Sequence, residues 1–485
     1  MIEMTRNSEN RGVMPFLYLP IEIASRELDS RLLLACLAVE MGLEVVLGQK
    51  WLIELNFENM PPGIVLFKTV TPRDAKAMSQ ARRLGYHIAA IDEEMPGVVA
   101  GPETLRWVDE EAIRQTELLF AVGDVHLEAL VARYPDHQSK FVSVGNPRFD
   151  LLRPEFQDIY RADNTALLRE FGRYILVNTN FAIVNSGKGN VEHVIRTMER
   201  GGKLDRRKSK DVEYLRELLR FERANFSAIQ SLLRELPTRF PEHCIVLRPH
   251  PNEDESTWIR ICSDMPRVRV ERRGAAIPWI LASEILVHVN CTTGLEAVVL
   301  GKPAVSFQPI ESPIAKKYLS TSVNPVARTI EEVVARIGQT IQQGDQSSVY
   351  PDELRAIFDR YFAARVGPLS AKCIIELIVE RFCVQHSSNL VHAMWQPGRK
   401  FRFQTWLSKH RKARLMPDID VQLLADKLRN LRQCLGLEGS LQVARCADRM
   451  FHVHGFSEGP SFERTQVRSH WFSRMLSQLA FGHVR

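Results

Sequence analysis

Two stretches decide the reading of this chain: RPHPNED (Arg248–Asp254) and NCTTGLEAVVLGKPAVSF (Asn290–Phe307). Each follows a short apolar run, CIVLR (Cys244–Arg248) and EILVHVN (Glu284–Asn290), with the pattern of a strand buried on both faces of a parallel sheet. Ligands of open α/β sheets bind beyond the carboxyl ends of the strands. Thr292, Thr293 and Gly294 stand where a helix is expected to open, so hydroxyls and unpaired amides point outward there. The helix dipole adds to their attraction for an anion. With His250 at the neighbouring strand end, the pattern predicts a grip on a phosphate. An activated sugar or another nucleotide-linked donor is the ligand class this implies.

Outward from these stretches, strand-like and helix-like patterns alternate. FLYLPI (Phe16–Ile21), LEVVLG (Leu43–Gly48), IVLFKT (Ile64–Thr69), YHIAAID (Tyr86–Asp92), ELLFAVG (Glu117–Gly123) and FVSVG (Phe141–Gly145) form a first series. YILVNTN (Tyr174–Asn180), CIVLR, VRVERR (Val268–Arg273), ILVHVN and PAVSF (Pro303–Phe307) form a second. The spacing predicts a long amphipathic helix over 212–236 and a helix over 30–41 closed by Gly42. Such alternation implies α/β architecture with mostly parallel sheets. At 485 residues the chain exceeds one core. We divide it into two Rossmann-like domains, 1–150 and 151–385, and a basic helical appendage, 386–485.

An apolar fraction of 45% with 25% charged residues is ordinary for a globular protein. No apolar run is long enough to span a bilayer, and MIEMTRNSENRG lacks the apolar centre of a signal peptide. The eight cysteines (36, 244, 262, 291, 373, 383, 434 and 446) are scattered, as expected of reduced thiols in the cytoplasm. Residues 386–485 hold 16 Lys and Arg against 7 Asp and Glu, a charge of +9, so the rest carries −3 of the overall +6. Such a tail implies either a polyanionic neighbour or a solvated basic face. Within it, Gly398–Arg414 mixes Phe401, Phe403, Trp406 and Leu407 with cations, the composition of an interfacial helix. The expected partner is an anionic membrane surface, the inner face of the cytoplasmic membrane, rather than nucleic acid, for which no signature is present.

VGNPRFDLL (Val144–Leu152), YILVNTNF (Tyr174–Phe181), RPHPNED and NCTTGLEAVVLGKP together resemble bacterial surface-carbohydrate biosynthesis proteins (capsule or lipopolysaccharide). These are related in layout to capsule-type octulosonic-acid transferases and, more remotely, to bacterial sialyltransferases and glycerophosphotransferases. The resemblance spans roughly residues 14–320. It implies a GT-B-like fold, two Rossmann-type domains facing a cleft, with the first domain on the acceptor side and the second binding the nucleotide sugar. It also implies metal-independent transfer from a CMP-linked donor. IDEEMPG (Ile91–Gly97) resembles the acidic signature of the sialyltransferases, with Met95 and Pro96 intervening before the glycine. His250-Pro251 and Thr292-Thr293 match the other two signatures, which contact the donor phosphate in that family.

The residues admit these roles on their own chemistry. Asp92, Glu93 and Glu94 end a strand; crowded carboxylates raise one another's pKa, which suits acid–base work, while a solvated turn is the plainer account. His250 can donate to a leaving phosphate, its cation offsetting the growing charge. Arg248 can do the same, or pair with Glu253 or Asp254. Thr292, Thr293 and the Gly294 amide can cradle phosphate or simply cap the helix. Glu296 can hold ribose hydroxyls or complement the dipole. Asn146 and Arg148 fall at a hinge, and Asn178, Thr179 and Asn180 at a strand end; all are cleft candidates. Pro20, Glu22, Arg26 and Arg31 can reach an acceptor. His452 and His454 lack further ligands, so no metal is expected, nor any cofactor beyond the donor. The expected activity is transfer of an acidic, ulosonic-type sugar from a CMP donor to a surface polysaccharide or lipid-linked glycan. A glycerophosphotransferase, a nucleotide-sugar epimerase and a non-catalytic assembly scaffold are the alternatives.

Overall fold

Period-two alternation sends odd and even residues of the first strands to opposite faces, and both faces are apolar. In the first strand, Leu17, Leu19 and Ile21 join one core while Phe16 and Tyr18 join another. The computed structural model describes residues 16–93, 97–99, 104–202, 204–344, 352–363, 367–383, 401 and 415–455. The first series gives β1 (Phe16–Ile21), β2 (Glu44–Gln49), β3 (Ile64–Phe67), β4 (His87–Ile91), β5 (Leu118–Ala121) and β6 (Phe141–Ser143). They pair in parallel in the order 2-1-3-4-5-6. The second series gives β7 (Tyr174–Asn178), β8 (Cys244–Arg248), β9 (Val268–Val270), β10 (Ile285–His288), β11 (Ala304–Phe307) and β12 (Val326–Ala327). These form a parallel sheet in the order 12-11-10-7-8-9. Two Rossmann-type sheets, each with helices on both faces, make this a GT-B-like fold.

The switch in strand order in the second sheet falls between β7 and β10, where a doubly wound sheet opens its crevice. Register brings Asn178, Arg248 and His288 into one row across β7, β8 and β10. In the first sheet the switch lies between β1 and β3, and helix α1 (Ala24–Glu40) leaves β1 there. Leu32, Leu33, Leu34, Leu37 and Ala38 are all buried. The helix is buried nearly all round because the Ser370–Cys383 and Val421–Cys434 helices cover the side turned away from the sheet. Each such leucine contributes about 2 kcal/mol.

Two parts of the chain depart from the expected division. The Asp352–Tyr361 and Ser370–Cys383 helices, assigned to the second domain, return to the first lobe. The Ala363 N–H donates to the Val122 carbonyl at 2.8 Å. Asp150 accepts from the Ser370 and Ala371 amides at 2.9 and 2.8 Å. Arg153 donates to the Gly367 and Pro368 carbonyls at 2.8 and 3.0 Å. The appendage is the other departure. Only Val421–Cys434 is a described helix there; β13 (Leu441–Ala447) and β14 (Met450–Gly455) form a hairpin. β14 pairs antiparallel with β2 and extends the first sheet to eight strands. The reason is local: Met450, Phe451 and Val453 are buried against β2 and its core, and Arg449 takes φ 53° to close the turn. Apart from Phe401, the aromatic–basic segment 398–414 lies outside the described residues. None of the eight cysteines forms a disulfide.

Two glycines seat the returning segment. A Cβ on Gly123 would overlap the Tyr361 carbonyl, and one on Gly145 (φ 95°) would overlap the Ala363 carbonyl and the Ser370 hydroxyl. The neighbours at both sites include backbone, so neither clash is relieved by a side-chain rotation. Gly123→Ala should therefore cost about 2 kcal/mol of stability, read as a lowered midpoint in urea. Unchanged stability would mean that 361–363 does not rest on β5.

Candidate functional site

The carboxyl ends of β7, β8 and β10 face α1 across a cleft with about 840 Å³ of empty space, open to solvent. Arg26 and Asp29 of α1 line one wall; Asn178, His250, Thr292 and Thr293 are among the residues of the other.

His250 is fixed by its own loop. Its N–H donates to Glu253 Oε1 at 3.0 Å, and its Nδ1 accepts from the Asn252 N–H at 3.2 Å. With Nδ1 accepting, Nε2 carries the ring hydrogen. Burial, with Arg26, Lys188 and Arg272 nearby, pushes the imidazole down to about 3. The expected cation is therefore replaced by a neutral hydrogen-bond donor. Arg248 pairs with neither Glu253 nor Asp254. It donates to the carbonyls of Arg273 and Gly274 at 2.9 and 3.2 Å and lies over the Trp279 ring at 4.5 Å. Burial pulls its guanidinium down to about 10. Arg248 and Pro251 still line the cleft.

Glu253 is the residue that sequence reasoning undervalued. It is fully buried and accepts from the His250 amide, the Thr179 hydroxyl (2.7 Å), the Asn185 amide (3.3 Å) and the Trp258 indole (2.8 Å). Burial pushes its carboxyl up while these donors oppose the shift. Beside it, Glu222 accepts from the Ile183 and Val184 amides at 3.1 and 3.0 Å. Burial, with the Glu253 charge adding to it, pushes Glu222 up to about 7.

At β10 the strand becomes a helix through Asn290, which takes φ 48°. Its side-chain oxygen accepts from Gln308 at 2.9 Å and Thr321 at 3.2 Å, which holds the kink. The Thr293 hydroxyl accepts from Asn178 Nδ2 at 3.1 Å, tying the ends of β7 and β10 together. Gly294 departs from expectation. Its amide donates to the Cys291 carbonyl at 3.0 Å, so it is not open to a phosphate. Glycine is needed there because a Cβ would overlap the buried His288 ring. Glu296 meets Arg148 of the first lobe at 2.6 Å, both nearly buried. Asn146 is buried and accepts from the Arg148 N–H at 2.9 Å as a helix cap; it does not line the cleft, and neither does Asn180.

The acidic strand end also departs from expectation. Glu93 pairs with Arg31 at 3.0 Å, both buried. Asp92 lies 3.8 Å from His126 Nε2, whose ring burial pushes down to about 3. Neither acid lines the cleft, and Glu94 lies outside the described residues. Glu22 pairs with Lys68 at 2.9 Å. Gly97–Val99 meets the second lobe instead. Val98 bridges to Tyr318, the Val99 N–H donates to Lys317 O at 2.9 Å, and the Leu319 N–H donates to Gly97 O at 2.7 Å. Arg106 and Lys317 flank the Tyr214 ring at 3.8 and 4.5 Å across the same junction. His452, read with His454 as lacking further metal ligands, approaches Glu44 of β2 at 2.9 Å. The polar face of α1 is the other feature that sequence reasoning passed over in part. Ser25, Asp29 and Ser30 accompany Arg26 on it, and polar residues at i and i+4 on a leucine-rich helix were its signal.

No family model matches the chain, and no curated protein matches it. Among solved structures it is similar to the UDP-GlcNAc 2-epimerase of Methanocaldococcus jannaschii, with 11% identity and a TM-score of 0.48 over 75% of this chain and 99% of that one. It is similar to the UDP-GlcNAc 2-epimerase of Neisseria meningitidis at 14% identity and a TM-score of 0.45, over 76% of this chain and 99% of that one. It is also similar to the wall teichoic acid polymerase TagF at 11% identity and a TM-score of 0.46, over 78% and 90% of the two chains.

The Glu222 carboxyl gives a pH test of the loops behind the cleft. Its folded value of about 7 exceeds its ordinary 4.5, so its stabilising contribution is complete below 4.5 and lost as pH rises through 7. Glu222→Gln should stabilise the protein by about 2 kcal/mol at pH 8 and leave it nearly unchanged at pH 4.5, measured by urea unfolding. Equal effects at both pH values would remove the titration from the account.

Proposed function

We propose that this chain is a two-lobed transferase that takes a nucleotide-activated sugar and acts on a bacterial surface glycan, the donor being a CMP-linked ulosonic sugar. The observation that carries the proposal is the meeting of His250 with Thr292 and Thr293 on one wall of a cleft rich in arginine. Arg26, Arg148, Arg248 and Arg272 line it with two carboxylates, Asp29 and Glu296, each of which is ion-paired. Such an imbalance favours an anionic ligand. The sequence resemblance supports the CMP-linked sugar.

In this reading the acceptor hydroxyl oxygen forms a bond to the anomeric carbon as the bond from that carbon to the phosphate oxygen breaks, and the hydroxyl proton passes to solvent. The electron pair leaves on the phosphate. His250 Nε2–H donates to that oxygen, and the Thr292 and Thr293 hydroxyls stabilise the remaining charge. The Arg31–Glu93 pair supports a structural duty for the acid once assigned to catalysis. Glu93→Gln should lower stability by about 3 kcal/mol and leave turnover per folded molecule unchanged.

A thermal-shift series with CMP, CDP, UMP and UDP, followed by mass analysis of products from CMP-ulosonic donors, tests the proposal. CMP should raise the melting temperature most, and His250→Ala should abolish that rise. Preference for UDP, with conversion of a UDP-sugar in the absence of any acceptor, would replace the transferase by an epimerase. No shift with any nucleotide would leave a scaffold. The basic tail, 386–485, would hold the enzyme at an anionic membrane. Sedimentation with phosphatidylglycerol vesicles should fall as salt rises from about 50 to about 300 mM, over which the Debye length shortens roughly 2.4-fold; salt-independent sedimentation contradicts this.

A further inference from the structure

Arg26 stands in the first turn of α1, directly after β1, and belongs to the first lobe. Its neighbours fix the turn that carries it. Glu27 is buried; it accepts from the Glu22 N–H at 2.7 Å and from Lys68 Nζ at 3.0 Å, and its carbonyl accepts from the Ser30 hydroxyl at 2.9 Å. The Ala24 N–H donates to the Leu415 carbonyl at 2.8 Å, which satisfies one of the amides left open at any helix start. Asp29, three places on from Arg26, pairs with Lys427 of the Val421–Cys434 helix at 2.9 Å. Successive residues of a helix point about 100° apart. Burying Glu27 therefore turns Arg26 away from the core and onto the face that lines the cleft.

The facing wall carries His250, Thr292 and Thr293. The Arg26 charge reaches two points of that wall. Burial pushes the His250 imidazole down, and Arg26 adds to the shift. Burial pushes the Cys291 thiol up, and Arg26 is among the groups that oppose it. His250 follows β8, and Cys291 follows β10 immediately before Thr292; β7 lies between those two strands. A charge acts most on the groups closest to it. An effect on both therefore places the guanidinium near both strand ends, although its own backbone is in the other lobe. In the reading above the second lobe offers a phosphate an imidazole and two hydroxyls, all of them neutral. Arg26 brings a cation to the same space.

We infer that Arg26 is the first lobe's contribution to nucleotide binding: its guanidinium pairs with the phosphate that His250, Thr292 and Thr293 hold from the second lobe. This rests on the nucleotide-binding part of the reading above and not on the identity of the base or the sugar. A guanidinium suits the place, because its planar fork can donate to two phosphate oxygens at once. The phosphate is then gripped from both lobes, and its affinity depends on the ties that hold them at a set separation.

The test uses the full chain and three variants: Arg26→Gln, Arg26→Lys and Arg73→Gln. Arg73 is an exposed cation of the same lobe that lines a separate depression beside Trp51, so its loss removes an equal charge from elsewhere. Calorimetry gives the affinity of each protein for CMP and for cytidine, which lacks the phosphate. UDP and uridine serve as the pair if the unaltered protein takes uridine nucleotides instead. Arg26→Gln should weaken CMP on the order of tenfold, the size of one lost charged hydrogen bond. Its cytidine affinity and its melting temperature without ligand should be unchanged. Arg26→Lys should recover part of the loss, and Arg73→Gln should match the unaltered protein. Unchanged CMP affinity in Arg26→Gln overturns the inference. So does an equal loss of CMP and cytidine, because Arg26 would then serve the fold or the nucleoside. An equal loss of CMP in Arg73→Gln overturns it as well, since a diffuse field would replace the contact. In each of these cases an unaltered protein that binds CMP more tightly than cytidine keeps the nucleotide reading. One that binds no nucleotide removes both.

Discussion

The second lobe's face of the cleft depends on a single buried carboxylate. Glu253 has no exposed surface, and an isolated charge in that place would be untenable. It is held there by donors from three segments: the His250 amide, the Thr179 and Asn185 side chains, and the Trp258 indole. Because those donors come from the loops after β7 and β8 and from the following helix, satisfying one carboxylate fixes all three segments at once. His250 inherits its orientation from that arrangement. A partly satisfied polar network is worse than an apolar core, so the loops have little freedom to rearrange without leaving Glu253 or one of its donors unpaired.

The two lobes are tied together by a few polar residues with separate duties. In NPRFDLLR, Asn146 caps its own short helix, Arg148 reaches Glu296 across the cleft, and Asp150 caps the Ser370–Cys383 helix. Arg153 holds the carbonyls that precede that helix. On the other side, Gly97–Val99 adds a bridge to Lys317–Leu319. A cleft bounded by ties on two sides keeps His250 and α1 at a set separation. The Arg148–Glu296 pair is the exception among these ties. It lies on the cleft itself, so a ligand carrying its own anion would compete with Glu296 for the guanidinium.

Much of this was legible in the sequence because parallel strands buried on both faces are continuous apolar runs, and all of the runs read as strands in the first two domains are strands. The helix start at Thr292 and the histidine at the β8 end were legible for the same reason: chemistry placed immediately after such a run must lie at a carboxyl edge. What was not legible depended on partners distant in the chain. Glu93 reads as a catalytic acid until Arg31 is seen beside it. Gly294 reads as a phosphate cradle until His288 is found packed against it. Met450–Gly455 has strand alternation, but its meaning came from β2, some four hundred residues earlier. Asp29 and Lys427, 398 residues apart, carry no local signal of their pairing.

The polar character of this wall of the cleft comes from several modest contributions rather than one large one. The helix opening at Thr293 is only seven residues long, and a dipole term of about 0.5 kcal/mol is what such a terminus supplies. Thr292, Thr293 and His250 line the same wall. The two cleft carboxylates are ion-paired, while burial, with Arg26, Lys188 and Arg272 nearby, presses the imidazole toward its neutral form.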